Sequence, residues 1–269
     1  MFKKTFHAAA LLIALISPLR ALGSIPQSLR PQSLQSFEVA AIKPTPPDFR
    51  ARYLTMQGAH QFVAKGYTVR FLVSAAYNLP PRAISGGPDW IDVDRYDIQA
   101  LTPGETRPSV EEQMAMVRTL LTDRFSLAFH TEPKEFSVYL LTLGKGGTKL
   151  KDSADPDDQP KLVSTVFPGD RIVLPARSAT MSQFASTLQR AILDRPVLDR
   201  TGLTGKYDFD LEWTYDDTQF GGNLPPLAPQ TSGKPDFFTA LQQLGLKLES
   251  ARAPIDAIVI ESVQRPSEN

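Results

Sequence analysis

His60 and His130 are the imidazoles available for acid–base or metal chemistry once the leader carrying His7 is set aside. No His-Glu-x-x-His occurs, and the chain has no cysteine. A zinc site draws three or four ligands from His, Cys and carboxylate, so two imidazoles would still need a carboxylate. The plainer reading is two polar residues at strand positions. A nucleophilic triad would have to use the same histidines, and no Gly-x-Ser-x-Gly elbow presents a serine to them. The expectation is no catalytic residue, no metal and no cofactor.

Other clusters carry weaker signals. Gly144-Lys-Gly-Gly-Thr-Lys149 looks like a phosphate loop but lacks the Gly-x-x-x-x-Gly-Lys-[Ser/Thr] spacing, and a tight turn after a strand explains its glycines. Asp152, Asp155, Asp157 and Asp158 miss the calcium-loop spacing and its twelfth-position Glu, which leaves a solvated charge run. Asp208, Asp210 and Glu212 could pair for glycoside hydrolysis. They alternate with Tyr207, Phe209, Leu211 and Trp213, as in a half-buried strand with a wet face. The loop Ile84-Ser-Gly-Gly-Pro-Asp-Trp90 is the best binding candidate. Two glycines allow close backbone approach and an indole offers a stacking surface. Ser85, Gly86, Gly87, Asp89 and Trp90 are therefore the candidate ligand-binding residues. The same loop also reads as a turn that seats Trp90 in the core.

These groups must be held by elements that the pattern of residues predicts. Phe37–Ile42 alternates like a strand, and the prolines between Lys43 and Asp48 must leave the sheet. His60–Ala64 is a second strand, stopped by Gly66. Thr68 caps a helix whose Val69, Leu72, Val73 and Ala76 share one face. Arg95–Ala100 is a strand. Ser109 with Glu112 forms a capping box for the next helix. Phe125–His130 and Phe136–Leu143 form a hairpin crossing Pro133. Residues 151–161 read as a linker. Arg171–Leu174, a helix capped by Thr180 with Met181, Phe184, Leu188 and Ile192 inward, Tyr207–Trp213 and a helix Phe237–Leu244 follow. A hairpin crossing Pro254 closes the chain, from Leu246–Glu249 to Ile255–Val263. A long Gly/Pro loop, Phe220–Pro235, precedes the last helix.

The two halves align: Thr68 with Thr180, Tyr96-Asp97-Ile98 with Tyr207-Asp208-Phe209, and Pro133 with Pro254. The fold class is therefore α+β, with two similar strand-helix-strand-helix-strand-strand units. Each is a small mixed or antiparallel sheet packed with two helices. The domains are 1–23 as signal peptide, 24–36 as flexible tether, 37–150 as first unit, 151–161 as linker and 162–269 as second unit.

The leader is read from Lys3 and Lys4, an apolar run from Phe6 to Ile16, and small residues at Ala21-Leu22-Gly23. Its apolar core is too short for a spanning helix, which needs roughly 20 residues. Cleavage leaves 26 basic against 29 acidic residues, so no global charge draws the chain to nucleic acid or anionic lipid. A cysteine-free exported chain must rely on buried apolar area rather than disulfides. The expectation is a periplasmic or secreted protein with no nucleic-acid partner and no membrane insertion after cleavage.

Five ordered segments carry a family resemblance: Phe37–Pro44; Ile84–Asp92 with Arg95–Asp97; Leu121–Phe125 with Val138-Tyr139 and Lys145–Gly147; Arg195–Val197 through Asp199–Leu203 to Tyr207–Phe209; and Phe238–Leu241 through Leu244–Leu248 to Arg265–Glu268. Together, from Phe37 to Glu268, they resemble the soil-associated protein family of exported bacterial proteins of unknown function. Similar domains occur attached to membrane metallopeptidase sensors, which implies extracytoplasmic sensing or binding. The family supplies no catalytic residues to transfer. Leu241-Gln-Gln-Leu-Gly245 is one residue shorter than the family run.

The functional expectation is a non-catalytic extracytoplasmic binding or sensory module for a peptide, glycan or envelope protein. The alternatives are a carboxylate-based hydrolase of polysaccharide or peptide, using acids among Asp89, Asp92, Asp94 and Asp97, and an envelope assembly or structural protein.

Overall fold

The computed structural model describes residues 36–163, 165–166, 171–220 and 233–266. The expected signal peptide, nearly all of the tether and most of the Phe220–Pro235 loop lie outside them. The chain is α+β, as its sequence predicts.

Its first half runs β1 (Val39–Pro44), β2 (Tyr53–Gln57), β3 (Gln61–Thr68), α1 (Val69–Tyr77), β4 (Ile84–Gly86), α2 (Trp90–Val93), β5 (Arg95–Leu101), α3 (Val110–Phe125) and β6 (Ala128–Leu143). The second half runs β7 (Lys151–Asp152), β8 (Lys161–Leu162), β9 (Thr165–Val166), β10 (Arg171–Ala179), α4 (Met181–Thr187), a π-turn (Leu188–Ile192), β11 (Val197–Asp199), β12 (Tyr207–Thr214), α5 (Phe237–Gln243) and β13 (Leu246–Ser262).

Three sheets result. One has the order β1-β5-β3-β2, one β7-β12-β10-β8 with β9 also on β10, and one β11-β6-β13-β4. The helix starts are set by local chemistry. Thr68, Ser109 and Thr180 accept from Phe71, Glu112 and Gln183 amides, and the latter two complete capping boxes. Each cap satisfies an amide that has no partner within its helix. The expected inward faces are buried, from Val69, Leu72, Val73 and Ala76 on α1 to Met181, Phe184, Leu188 and Ile192 beyond Thr180.

The predicted hairpins at Pro133 and Pro254 are replaced by two uninterrupted strands. β6 and β13 pair antiparallel from Leu143↔Leu246 to Ala128↔Ser262. Proline cannot donate to a ladder and belongs where one side of a strand is free. Both prolines meet that condition. β11 pairs β6 only at Tyr139–Leu141, and β4 pairs β13 only at Ile258–Ile260. Pro133 and Pro254 therefore sit where their strands are locally edges. β1 likewise extends to Pro44, beyond the expected Ile42, because it is an edge strand.

Gly66 does not stop β3. It forms a bulge between Ala64 and Tyr67 opposite β5. Its φ is +70°, and a Cβ there would strike the Ala51 carbonyl and the Arg95 guanidinium. Asp97 clamps the bulge by accepting the Gly66 amide at 3.0 Å and the Thr45 hydroxyl at 2.7 Å. The second half repeats the device. β10 bulges between Ala176 and Ala179, Ser178 has φ +50°, and Asp208 accepts the Ser178 amide at 2.8 Å and the Ala154 amide at 3.2 Å. The stretch expected as a linker is tied at both ends, since Lys151–Asp152 pair with β12 and Lys161–Leu162 with β10.

Backbone amides, the Ser178 amide first, hold the Asp208 carboxyl below its ordinary pKa. A depressed folded-state value stabilises the fold above the unfolded pKa, about 3.9, and the contribution disappears as pH falls through the folded value. Asp208→Asn should therefore flatten the acid limb. Between pH 5 and pH 2 its urea midpoint should fall less than that of the wild type. Parallel midpoints across that window would remove the clamp from the account.

Candidate functional site

Part of the loop singled out from the sequence is engaged in strand pairing and packing. Ile84–Gly86 is β4, parallel to β13. A Cβ on Gly86 would come within 2.5 Å of the Ile260 carbonyl oxygen. Its φ of +75° also favours glycine, so close strand approach explains the residue. The Ser85 hydroxyl donates to the Ile258 carbonyl at 3.4 Å. Ser85, Gly86, Gly87 and Asp89 are exposed, and Asp89 precedes α2 without a side-chain cap bond. Trp90 is half-buried against the first core, with the Arg265 guanidinium 4.9 Å above its ring.

Of the acids weighed for hydrolysis, all but Asp89 have side-chain partners. Asp92 pairs with Arg70, which holds its carboxyl below the ordinary value, chiefly by hydrogen bonding. Asp94 accepts from Arg265 at 2.8 Å, and Asp97 is the bulge clamp. On β12, Asp210 pairs with Arg177 and Glu212 with Arg171 and Lys234. His130 lies exposed between Glu261 and Glu132, and hydrogen bonds donated to both carboxylates raise its pKa, that to Glu132 most. Among the described residues no three His, Asp or Glu side chains converge as metal ligands, and no helix is long and apolar enough to cross a membrane.

Concavity lies elsewhere. A cavity of about 460 Å³ opens between the end of α1 and the π-turn after α4. That volume falls in the range of small-molecule sites, about 300–1,000 Å³. Two backbone events shape its walls. α1 ends at Asn78 in the left-handed region, φ +51°, and the Leu79 amide folds back to the Ser74 carbonyl. The chain then turns outward through Leu79-Pro80-Pro81. On the facing wall α4 widens into its π-turn, and the Leu193 amide closes onto the Leu188 carbonyl at 2.7 Å. Such widened turns are frequent at functional sites.

Gln189 stitches the walls together. Its amide nitrogen donates to the Asn78 carbonyl, and its amide oxygen accepts from the Val197 amide at 3.0 Å. Asn78 in turn donates to the Ser186 hydroxyl at 3.1 Å. Apolar surface comes from Phe71, Leu79, Ile192, Leu193 and Phe220. Tyr67 joins them, and burial pushes its hydroxyl up in pKa while Arg52 pulls it partly back.

The cavity carries three arginines against one aspartate. Arg195 is occupied: it bonds Asp194 and Ser250 and lies over Tyr139. Arg52 and Arg190 differ. Neither guanidinium makes a hydrogen bond or ion pair with a described residue. Arg52 stacks 3.6 Å over the Phe71 ring. Stacking uses the face of the group and leaves its in-plane N–H donors open. Arg190 is exposed, yet desolvation by surrounding protein lowers its pKa. Residues 221–232, which follow Phe220, contain no Asp or Glu.

Neither Arg52 nor Arg190 belongs to a motif. Arg52 follows a proline-rich stretch and Arg190 interrupts the run Leu188-Gln-Arg-Ala-Ile-Leu193. The signal available in sequence was that lone cation among apolar residues at the end of an amphipathic helix.

A family model described as "Protein of unknown function (DUF3738)" matches residues 70–263. No curated protein and no solved structure is matched by the chain.

Proposed function

Since the chain belongs to this family of unknown function (DUF3738), we propose that it is a non-catalytic binding or sensory module working outside the cytoplasm, and that its cavity takes a small organic anion. The observation that carries the reading is Arg190, a cation lining a concavity with no acceptor among the described residues. A guanidinium partly stripped of water gains most from a carboxylate or phosphate brought to it. The apolar walls favour a ligand with a hydrocarbon or aromatic body.

The organisation into two copies of one unit belongs to the same proposal. It is supported by the paired bulge clamps, Gly66 with Asp97 and Ser178 with Asp208, at offsets of 112 and 111 residues. Pro133 and Pro254 also face acids in the same way, Asp256 and Glu135. The cavity then joins corresponding segments of both copies, which is where binding could change their relation.

Export rests on the leader, and sequencing the exported product should give an N-terminus near Ser24. A product beginning at Met1 would end the cleaved-leader reading. Anion binding is read by thermal unfolding with millimolar octanoate and phenyl phosphate at low salt. The melting temperature should rise, because a ligand held only by the folded state stabilises it. Arg190→Gln should reduce the rise while leaving the unliganded melting temperature nearly unchanged. An unmoved wild-type transition with both anions would reject the reading.

A further inference from the structure

Resting on that reading of the cavity, we infer that its ligand carries two separated anionic groups on an apolar body, one group for Arg52 and one for Arg190. The two cations enter from different parts of the chain, Arg52 just before β2 and Arg190 from the π-turn. Both line the same cavity of about 460 Å³, and neither guanidinium has an acceptor among the described residues. The remaining cation, Arg195, is already neutralised by Asp194.

The Arg52 guanidinium carbon lies over the Phe71 ring, 3.6 Å from its centroid, and 5.7 Å from that of Tyr67. A guanidinium over an aromatic ring keeps its N–H donors for a carboxylate, which it can grip through two parallel bonds. One carboxylate held by Arg190 leaves the Arg52 edge unmatched. A second negative charge would match it, and the side chains of Phe71, Leu79, Ile192 and Phe220 supply apolar surface for the body of the ligand. Charge also favours this pairing. The cavity is net positive although the mature chain is slightly acidic, and a concave, low-dielectric site focuses such a local potential.

The test compares octanedioate, octanoate and phenyl phosphate by calorimetric titration of the leader-free protein at low ionic strength. A matched charge-assisted contact corresponds to about tenfold or more in affinity. Octanedioate should therefore bind at least about tenfold tighter than octanoate. Arg52→Gln and Arg190→Gln should each bring octanedioate down to the affinity of octanoate, with circular dichroism confirming that both variants fold. Equal binding of octanedioate and octanoate to the wild type would overturn the two-anion inference and leave the anion site standing. Phenyl phosphate binding as tightly as octanedioate would also overturn it, in favour of one doubly charged head. No binding of any of the three would remove the site itself.

Discussion

Trp213→Ala is expected to lower stability by about 3–5 kcal/mol, the range for truncating a fully buried large aromatic side chain. Trp213 is 0% exposed. Its ring lies 5.2 Å from Phe237 and stacks on Phe220 at 6.5 Å with 5° between planes. The indole N–H donates to the Gln219 amide oxygen at 2.8 Å, and Gln219 is itself buried. Removing the indole leaves a void and an unmatched acceptor together. Urea unfolding followed by circular dichroism measures the loss. Trp213→Phe separates the two causes: it keeps most of the volume but still leaves the Gln219 acceptor unpaired, at a cost of about 1–3 kcal/mol. Because Phe220 lines the cavity, both variants should also weaken anion binding. A loss under about 1 kcal/mol for the alanine variant would place Trp213 outside the core of the second half.

Arg95→Ala is expected to cost about 2–4 kcal/mol, since charged hydrogen bonds are worth about 1.5–3 kcal/mol each and do not add fully. The Arg95 guanidinium donates to the carbonyls of Phe49 at 2.6 Å, Ala51 at 2.7 Å and Gly66 at 3.2 Å. It thereby fastens the segment before β2 to the bulge in β3. Arg52 is the next residue after Ala51, so the same fork positions a cation of the cavity. Arg95→Lys should recover little, because an ammonium on a flexible stem does not reproduce a planar fork reaching three acceptors. The distinguishing readout is the pairing of effects. Arg95→Ala should lose both stability and the advantage of octanedioate over octanoate, while Arg52→Gln should lose only that advantage. A stable Arg95→Ala variant that still binds octanedioate at the wild-type level would refute the positioning role.

Much of the fold could be read from residue order because its determinants are local. Thr68, Ser109 and Thr180 are helix caps by their own chemistry, and Tyr207, Phe209, Leu211 and Trp213 show their buried face by alternation alone. The misread elements depend on neighbours far away in sequence. Pro133 and Pro254 look like turn residues until the short reach of β11 and β4 leaves both positions unpaired on one side. Gly66 looks like a stop until Asp97 clamps it as a bulge. β4 and β11, three residues each, are too short to announce themselves and exist because β13 and β6 offer them an edge.

The cavity was harder still. Its walls come from Arg52, the end of α1, the π-turn and Phe220, segments with no shared spacing. The glycine and tryptophan loop drew notice because glycines and indoles often approach ligands. Gly86 instead answers to the Ile260 carbonyl. An arginine with no acceptor cannot be recognised before the fold shows which acids are already taken.

The exchange of short strands has a consequence for how the polypeptide can be divided. β4 of the first half pairs with β13 of the second, and β11 of the second pairs with β6 of the first. Each half lends a strand to the other's longest one, so neither piece alone can complete the β11-β6-β13-β4 sheet. A cut between residues 153 and 160 would break one covalent bond and leave every one of those strand pairings intact. Two such pieces made separately would be poor folders alone and natural complements together.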